Sequence, residues 1–253
     1  FKRPNKNNLV IYEVWPYIWS KNKNFKSILE KINYFEDLGV NAIEFMPLCE
    51  FDGNLSWGYS PNHYFALDKA YGPENDFKTL VDECHKRGIA VIVDMVFNHA
   101  TGNSSHEKLY GGYNNLKDNP YFNVSAPHGA AVFEDWNHDN QDVKNYLTRA
   151  LKFWLQEYKV DGFRMDLSHG FCGPNCNNRS SNINYYYNNG VKAVASDAYF
   201  ILEHWEGMNE RGGYVNNGMM CWENTNNAYM QLAMGWLKDG DALTEANKDG
   251  YVS

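Results

Sequence analysis

The stretch IAVIVDMVF, residues 89–97, is apolar at every position except Asp94. An uninterrupted apolar run of this length is typical of a parallel β-strand that is covered on both faces. Residues 75–87, just before it, place their apolar side chains on one helical stripe, and Gly88 ends this helix. A helix followed directly by a buried strand indicates a βα repeat and therefore a parallel sheet.

The same strand-then-helix rhythm continues on both sides of this stretch. Its even alternation favours an α/β fold of the (β/α)8 TIM-barrel type over a doubly wound sheet. About six βα units fit into the sequence, so we expect a truncated barrel in which strands seven and eight are absent. The other predicted strands are residues 9–15, 40–46, 162–167, 199–205 and 219–223, and the other predicted helices are residues 25–38, 143–158, 185–196 and 225–238.

Residues 101–140 interrupt this rhythm, because they are rich in Gly, Asn, Ser and Pro. A loop this long inside a compact domain is normally functional or a small inserted domain. We therefore expect the first part of the barrel over residues 1–100, an inserted domain over residues 101–140, and the rest of the barrel over residues 141–253.

The composition excludes two classes of function. The formal net charge is −8 and basic runs are short, whereas a nucleic-acid-binding surface is basic. No apolar stretch reaches the roughly 18–20 residues of a membrane span. Aromatic residues make up 16% of the chain and asparagines number 33, which suits a carbohydrate ligand with apolar ring faces and hydroxyl-bearing edges. The alternative is that the aromatic rings fill the core and that asparagine abundance reflects genome bias.

The five cysteines are an odd number and cannot all pair within the chain. Cys49 and Cys84 lie in apolar patterns and are predicted to be buried thiols. Cys172 and Cys176 form a loop disulfide or stay free, and no second close pair of ligands accompanies them for zinc. The chain starts at Phe1 without a signal-like apolar segment, so we expect a processed or excised piece of a longer protein, and its compartment is not readable.

Polar residues at the carboxyl ends of the predicted strands are candidates for chemistry, because the active site of a (β/α) barrel lies at that face. Asp94 and Asn98 share one face of their strand by its two-residue period. The alternative for Asp94 is a buried carboxylate that accepts hydrogen bonds from backbone amides.

The next predicted strand, GFRMDL at residues 162–167, carries a charged pair. Arg164 and Asp166 are two residues apart and therefore point the same way. A fixed guanidinium lowers the pKa of a neighbouring carboxyl, and an ionised, immobilised carboxylate suits a nucleophile. The alternative is a structural ion pair.

Glu203 ends the following strand after apolar and aromatic positions. Burial of this kind favours the protonated carboxyl that a general acid needs. Two carboxylates on adjacent barrel strands can lie about 5–5.5 Å apart, the separation found in retaining glycosidases. Asp166 and Glu203 together therefore indicate glycoside chemistry more strongly than either residue alone.

These motifs resemble those of the α-amylase family of glycoside hydrolases over essentially the whole chain. The matching stretches are DMVFNH at 94–99, GFRMD at 162–166, ILE at 201–203 and WGY at 57–59. The resemblance implies that Asp166 is the nucleophile, with Arg164 as its partner, and that Glu203 is the acid/base. It also implies a structural role for Asp94, and it identifies residues 101–140 as the family's B domain. The substrate contacts that it implies are Trp57, Tyr59, His99, His169, His204 and Trp205.

The second of these motifs departs from the family's pattern, since His169 and Gly170 stand where typical amylases carry Lys-His. Contacts on the leaving-group side of the substrate are therefore expected to differ. The family's usual calcium site would draw on Asn98, on Asp135 and on a backbone carbonyl near Gly170, and oxygen ligands suit that ion. Calcium is the only cofactor that the resemblance implies.

The family's fourth motif, a histidine-aspartate pair on strand seven, is missing from the sequence. We therefore expect a fragment, with reduced or no activity, of a retaining hydrolase of α-1,4-linked glucans such as starch, glycogen or maltooligosaccharides. A non-catalytic glucan-binding fragment and a branching or transglycosylating enzyme stay open as alternatives. The strands at residues 9–15 and 219–223 would lack one neighbour each, so we also expect self-association through open barrel edges.

Overall fold

The computed structural model describes residues 1–222, 226–235 and 251–252, and its main sheet is parallel throughout. The strands are β1 (Ile11–Val14), β2 (Ala42–Phe45), β3 (Cys49–Phe51), β4 (Pro61–Leu67), β5 (Ala90–Met95), β6 (His99–Ala100), β7 (Glu134–Asp135), β8 (Gly162–Met165), β9 (Tyr199–Leu202), β10 (Met220–Trp222) and β11 (Tyr251–Val252). Within the described residues, the main sheet has the order β1-β2-β5-β8-β9-β10-β11. This order, with helices in every connection, confirms the predicted (β/α)-barrel class.

Helices cover the convex face of this sheet. They are α1 (Pro16–Trp19), α2 (Phe25–Leu29), α3 (Ile32–Leu38), α4 (Glu74–Lys86), α5 (Ser105–Lys108), α6 (Gln141–Phe153), α7 (Arg179–Tyr186), α8 (Met208–Asn216) and α9 (Asn226–Ala233). Two of them, α6 and α7, continue into π-helical turns at Trp154–Tyr158 and Tyr187–Lys192. Short 3₁₀ turns lie at Lys6–Asn8, Lys69–Tyr71, Tyr113–Asp118 and Ser168–Gly170.

Alternate residues of the strands sort into two layers. One layer packs against the helices, and Phe77 of α4 lies at its centre, with its ring 5.0 Å from Phe25 and 6.1 Å from Trp154. Each large apolar side chain buried in this way contributes about 1.5–3 kcal/mol to folding. The other layer fills the concave side of the sheet and consists of Ala42, Ala90, Ile92, Tyr199, Ile201 and Met220. By strand parity, Asp94 and Arg164 lie on this concave side, at the carboxyl ends of their strands.

Several helices and one hairpin differ from the sequence prediction. The predicted helix over residues 25–38 is divided into α2 and α3, because Lys31 has a non-helical backbone, while Gly39 ends α3 in the left-handed conformation as expected. The predicted helix over residues 185–196 begins earlier, at Arg179. The sequence analysis also missed α8, the short elements α1, α5, β6 and β7, and the β3–β4 hairpin. The hairpin has register shifts that break the two-residue alternation by which a strand is recognised.

The expectation that strand seven is absent is corrected by the structure. Strand β11 pairs in parallel with β10, with Tyr251 opposite Cys221 and Val252 opposite Trp222. A strand of two residues has no hydrophobic period, so the sequence pattern could not indicate it. Of the predicted helix over residues 225–238, α9 accounts for the central part, and residues 236–238 lie outside the described residues.

Residues 101–140 add no strand to the main sheet within the described chain. Strands β6 and β7 pair in the antiparallel sense, with His99 opposite Asp135, so this segment returns to the point where it leaves the barrel. Trp136 is fully buried and stacks on Phe122, which gives the segment an apolar centre of its own. The assignment of residues 101–140 as a separate B domain stays a prediction.

The structure pairs Cys172 with Cys176 and leaves Cys49 and Cys84 as buried free thiols. The disulfide alternative therefore holds for the two close cysteines. None of the helices in the described ranges is long and apolar enough to span a bilayer.

Candidate active site

The guanidinium of Arg164 lies at the centre of a cluster of carboxylates. Its Nη1 lies 2.9 Å from Asp94 Oδ2 and 3.0 Å from Asp166 Oδ1, and its Nη2 lies 3.0 Å from Glu203 Oε2. The indole ring of Trp222, from the end of β10, lies 4.6 Å from the guanidinium carbon. One cation thus holds three carboxylates and packs against one aromatic face.

The strand register explains why these four charged residues meet. Asp94 of β5 lies directly opposite Arg164 of β8. The ladder continues past the strand ends, because the Asp166 amide donates to the Met95 carbonyl and the Glu203 amide donates to the Met165 carbonyl. Asp94, Arg164, Asp166 and Glu203 therefore come together at the carboxyl ends of three neighbouring strands, as the sequence analysis expects.

This cluster has three carboxyl groups and one guanidinium, and the pKa values of two of its carboxyl groups are raised. Burial, with the nearby Asp94 carboxylate, raises the pKa of Asp166 to about 8. Burial also raises the pKa of Asp94 to about 6, although Arg164 acts in the opposite direction. The expectation that Arg164 holds the pKa of Asp166 below its usual range is therefore wrong, because burial and two further carboxylates outweigh one guanidinium.

Glu203 is held by two further donors besides Arg164. The Leu167 amide donates to Glu203 Oε2 at 2.9 Å, and Trp205 Nε1 donates to Glu203 Oε1 at 3.2 Å. Leu167 reaches this position with a φ of 44°, a left-handed conformation that is uncommon for a side chain of its size. Both oxygens of the proposed acid/base are thus oriented by the protein before any substrate binds.

Tyr59 and His99 form a second, adjoining unit. The Tyr59 hydroxyl donates to Asp94 Oδ2 at 2.8 Å. Asn98 Nδ2 donates to His99 Nδ1 at 3.0 Å, and His99 Nε2 donates to the Tyr59 carbonyl at 2.9 Å, so the ring has its proton on Nε2. Burial lowers the pKa of His99, which is only 1% exposed, so the ring is neutral.

The other residues implied as substrate contacts have different environments. Trp57 is 62% exposed and Trp205 is 45% exposed, so both rings are free to contact a ligand. His169 is half-buried. The implied contact from His204 is contradicted: this side chain is completely buried, with its ring nitrogens 3.0 Å from Ser168 Oγ and 3.2 Å from Glu210 Oε1.

Sequence reasoning missed three residues of the site. Glu44 of β2 is buried, and burial together with Asp94 raises its pKa to about 8. Trp222 lies at a predicted strand end, so its position was a usable signal. Phe133 lies in the left-handed region, with a φ of 48°, and its ring centre is 5.5 Å from that of His99. Nothing local in the sequence indicates the last of these contacts.

The residues implied as calcium ligands do lie together, but they do not fit that ion. Asp135 accepts hydrogen bonds from Asn123 Nδ2 at 2.6 Å and from His128 Nε2 at 2.7 Å. Carbonyls near Gly170 are also engaged, because Arg179 donates to the His169 carbonyl at 3.0 Å. Calcium requires 6–8 oxygen ligands, whereas most of these oxygens already accept hydrogen bonds from the protein.

Comparisons with known proteins identify the family of this chain. Among curated proteins, the chain is similar to the malto-oligosyltrehalose trehalohydrolase of Saccharolobus solfataricus, with 35% identity over 167 residues, or 65% of this chain and 28% of that protein. It is also similar to the 1,4-alpha-glucan-branching enzyme of Emericella nidulans, with 34% identity over 175 residues, or 65% of this chain and 25% of that protein. The chain thus aligns with about a quarter of the length of these relatives.

Solved structures share the fold at lower identity. Eubacterium rectale Amy13B superposes with a TM-score of 0.75 at 24% identity, over 96% of this chain and 56% of that chain. The maltogenic α-amylase AmyB from Thermotoga neapolitana superposes with a TM-score of 0.73 at 20% identity, over 98% of this chain and 57% of that chain. The family model described as the alpha amylase catalytic domain matches residues 19–132 and 113–247. The chain therefore belongs to the α-amylase family.

Proposed function

We propose that this chain carries the nucleophile and the acid/base of a retaining glycoside hydrolase that acts on α-1,4-linked glucans. The observation that carries the proposal is the shared guanidinium, because Arg164 holds Asp166 and Glu203 at 3.0 Å each from adjacent strands. Because both carboxylates contact one guanidinium, they lie close enough together to flank one glycosidic bond, as the paired carboxyl groups of glycosidases do.

The proposed reaction has two steps. In the first, Asp166 Oδ, in the ionised form that Arg164 favours, attacks the anomeric carbon. The bond from that carbon to the glycosidic oxygen breaks, and Glu203 gives its proton to the departing oxygen. In the second, Glu203 takes a proton from water, the hydroxide attacks the same carbon, and the ester to Asp166 breaks. Arg164 contacts both reacting carboxylates, and Asp94 binds Arg164 in turn, so the carboxylates stay oriented between the steps.

The substrate class rests on exposed aromatic rings and on the relatives. Trp57, Phe133 and Trp205 each present large rings to solvent, and apolar sugar faces stack on such rings. Trp205 donates to Glu203, and Phe133 lies beside His99. The relatives at 34–35% identity are named for malto-oligosyltrehalose and for 1,4-alpha-glucan. Both names support an α-glucan as the substrate.

Transfer of glucan chains is the second candidate function. It is favoured by the branching enzymes among the relatives, since a branching enzyme uses a sugar hydroxyl where a hydrolase uses water. The two outcomes share the ester on Asp166 and differ only in the acceptor.

The test uses the 253-residue chain with amylose and with a fluorinated glycosyl fluoride, a reagent that forms the ester but releases it slowly. We expect a mass increase on the peptide that contains Asp166 and new reducing ends from amylose. The variant Asp166→Asn should lose both, whereas Asp37→Asn, an exposed control on α3, should keep both. New α-1,6 linkages without new reducing ends would identify transfer. Equal reducing-end release by Asp166→Asn and the unaltered chain would exclude this nucleophile.

We also propose that the isolated chain self-associates through the edge of β1. Among the described residues, β1 pairs only with β2, and the ladder uses alternate residues such as Val10 and Val14. The Glu13 amide therefore faces the open side, where another strand can pair with it. Sedimentation at micromolar concentration should give oligomers, and Glu13→Pro, which removes this donor, should shift them toward monomer. A monodisperse monomer of the unaltered chain would contradict the proposal.

A further inference from the structure

We propose that the imidazole of His128 takes the place of a cation at the junction between residues 101–140 and the barrel. In this view, the junction is stabilised by a histidine–aspartate pair instead of calcium. The inference concerns the stability of the fold and does not depend on the proposed reaction.

The first observation is the pairing itself. His128 Nε2 lies 2.7 Å from Asp135 Oδ2, and the two side chains are only 3% and 2% exposed. Asp135 lies on β7, opposite His99 of β6, so its carboxylate stands beside the end of β5. A buried carboxylate needs a compensating partner, and here the partner comes from the inserted segment.

The second observation is the tautomer of the ring. The Ala130 amide donates to His128 Nδ1 at 3.3 Å, which leaves the ring proton on Nε2. This proton points to the Asp135 carboxylate. In this tautomer Nε2 is a donor and has no free lone pair for a metal ion. Its N–H group therefore takes the position beside the carboxylate that a cation would take.

The third observation is the space around Gly170. A Cβ at this position would lie 1.8 Å from Asn98 Oδ1 and 2.7 Å from His128 Nε2. The Gly170 backbone, the Asn98 amide oxygen and the imidazole thus converge on one small volume. This is the place where the resemblance to amylases implies the ion.

The fourth observation is the use of the remaining oxygens. The Gly170 carbonyl accepts from the Cys172 amide at 2.7 Å, and the His169 carbonyl accepts from Arg179 Nη1 at 3.0 Å. Asn98 Oδ1 is fully buried without a hydrogen-bond partner. Asn123 Oδ1, next to Asp135, also has no hydrogen-bond partner. These two amide oxygens are far fewer than the 6–8 ligands that calcium takes.

Asn98 borders both this junction and the active site. Its Nδ2 donates to His99 Nδ1, and His99 Nε2 in turn donates to the Tyr59 carbonyl. His128 lies across the space around Gly170 from the Asn98 amide oxygen.

The decisive experiment measures the melting temperature of the 253-residue chain in EDTA and in millimolar calcium, together with calcium titration by calorimetry. We expect the same melting temperature in both conditions and no heat of binding. A melting temperature that falls in EDTA, or stoichiometric calcium binding, would overturn the proposal regardless of how any variant behaves.

Two variants separate the role of the imidazole from a general packing role. His128→Ala should lower the melting temperature by roughly 5–15 °C in EDTA, and added calcium should restore part of this loss because the position is now open. His128→Gln, whose amide can still donate to Asp135, should lose less. His63→Ala, an exposed histidine on β4, is the control and should change nothing. If His128→Ala is as stable as the unaltered chain or stays insensitive to calcium, the imidazole does not occupy the cation position.

Discussion

Arg164 Nη2 lies 3.0 Å from Glu203 Oε2, while Nη1 of the same guanidinium contacts Asp94 and Asp166. Only a planar group with several fixed donors can bind three carboxylates from three strands at once. The ammonium of lysine is a compact point charge on a flexible stem, so it can contact fewer of them. The identity of the cation, and not only its charge, is therefore tested by the substitution Arg164→Lys.

We expect Arg164→Lys to lower kcat/KM on amylose by on the order of 10²–10³, the effect of losing one preorganised electrostatic group. The variant should also be destabilised by about 1–3 kcal/mol, because one buried carboxylate loses its charged partner. Steady-state kinetics and urea unfolding measure the two effects. Arg87→Lys is the matched control, at the C-cap of α4, where Arg87 pairs with Glu83 and Glu36, and it should leave activity unchanged. Full activity in Arg164→Lys would show that the planar arrangement of the guanidinium donors is unimportant for catalysis.

The protonation of Asp166 predicts an unusual dependence of stability on pH. Its pKa is raised from 3.8 to about 8, chiefly by burial. In this window the folded chain holds a proton that the unfolded chain has lost, so the free energy of unfolding should decrease as pH rises from about 4 to about 8. Asp166→Asn removes this contribution while keeping an oxygen for Arg164.

We therefore expect Asp166→Asn to be more stable than the unaltered chain at pH 8 and to differ much less at pH 5. One unit of pKa corresponds to about 1.4 kcal/mol, so the melting temperature at pH 8 should rise by roughly 3–8 °C. Thermal unfolding followed by circular dichroism at both pH values gives the answer. A variant that is less stable than the unaltered chain at pH 8 would show that Arg164 stabilises the Asp166 carboxylate more than burial destabilises it.

The fold was more predictable from sequence than the charges of the site. The run at residues 89–97 and the two-residue spacing of Arg164 and Asp166 are local patterns, and both determine which way a side chain points. The raised pKa of Asp166 depends chiefly on burial and then on Asp94 and Glu203, which come from other strands, so the spacing alone gave the wrong sign. The contact of His128 with Asp135 could not be predicted from the sequence either, because it depends on how a long segment without strong periodicity folds back.

Phe133 offers a way to separate backbone strain from ligand contact. It is held at a φ of 48° and its ring is 57% exposed beside His99. Strain of this kind costs of order 1–3 kcal/mol and tends to persist where a side chain has a function. We expect the ring to form part of the glucan-binding surface.

Phe133→Ala and Phe133→Gly both remove the ring, but only glycine relieves the strain. Both variants should raise KM for maltooligosaccharides to a similar extent, by about tenfold for a lost contact of roughly 1.4 kcal/mol. Phe133→Gly alone should raise the melting temperature. Unchanged KM in both variants would remove Phe133 from the binding surface, and equal melting temperatures would mean that the left-handed backbone carries no strain.

The close pairing of β8 with β9 depends on Gly162. It lies opposite Tyr199, and a Cβ at this position would lie 2.5 Å from both Tyr199 Cβ and the Tyr199 carbonyl oxygen. Atoms cannot approach this closely, and the backbone of Tyr199 cannot move away without disturbing the ladder that also carries Arg164. Because Arg164 follows on β8, a shift at Gly162 would also reach the carboxylate cluster.

We expect Gly162→Ala to destabilise the chain by about 2–4 kcal/mol and to lower activity by displacing Arg164 from Asp94 and Glu203. The matched control is Gly212→Ala within α8, where a Cβ meets no atom within 4 Å and the φ is not positive. Alanine there should be neutral or should stabilise the helix by about 0.5–1 kcal/mol. Urea unfolding of the three proteins, followed by circular dichroism, measures the difference. If Gly162→Ala unfolds at the same urea concentration as Gly212→Ala, the close approach of β8 and β9 is not a requirement of the sheet.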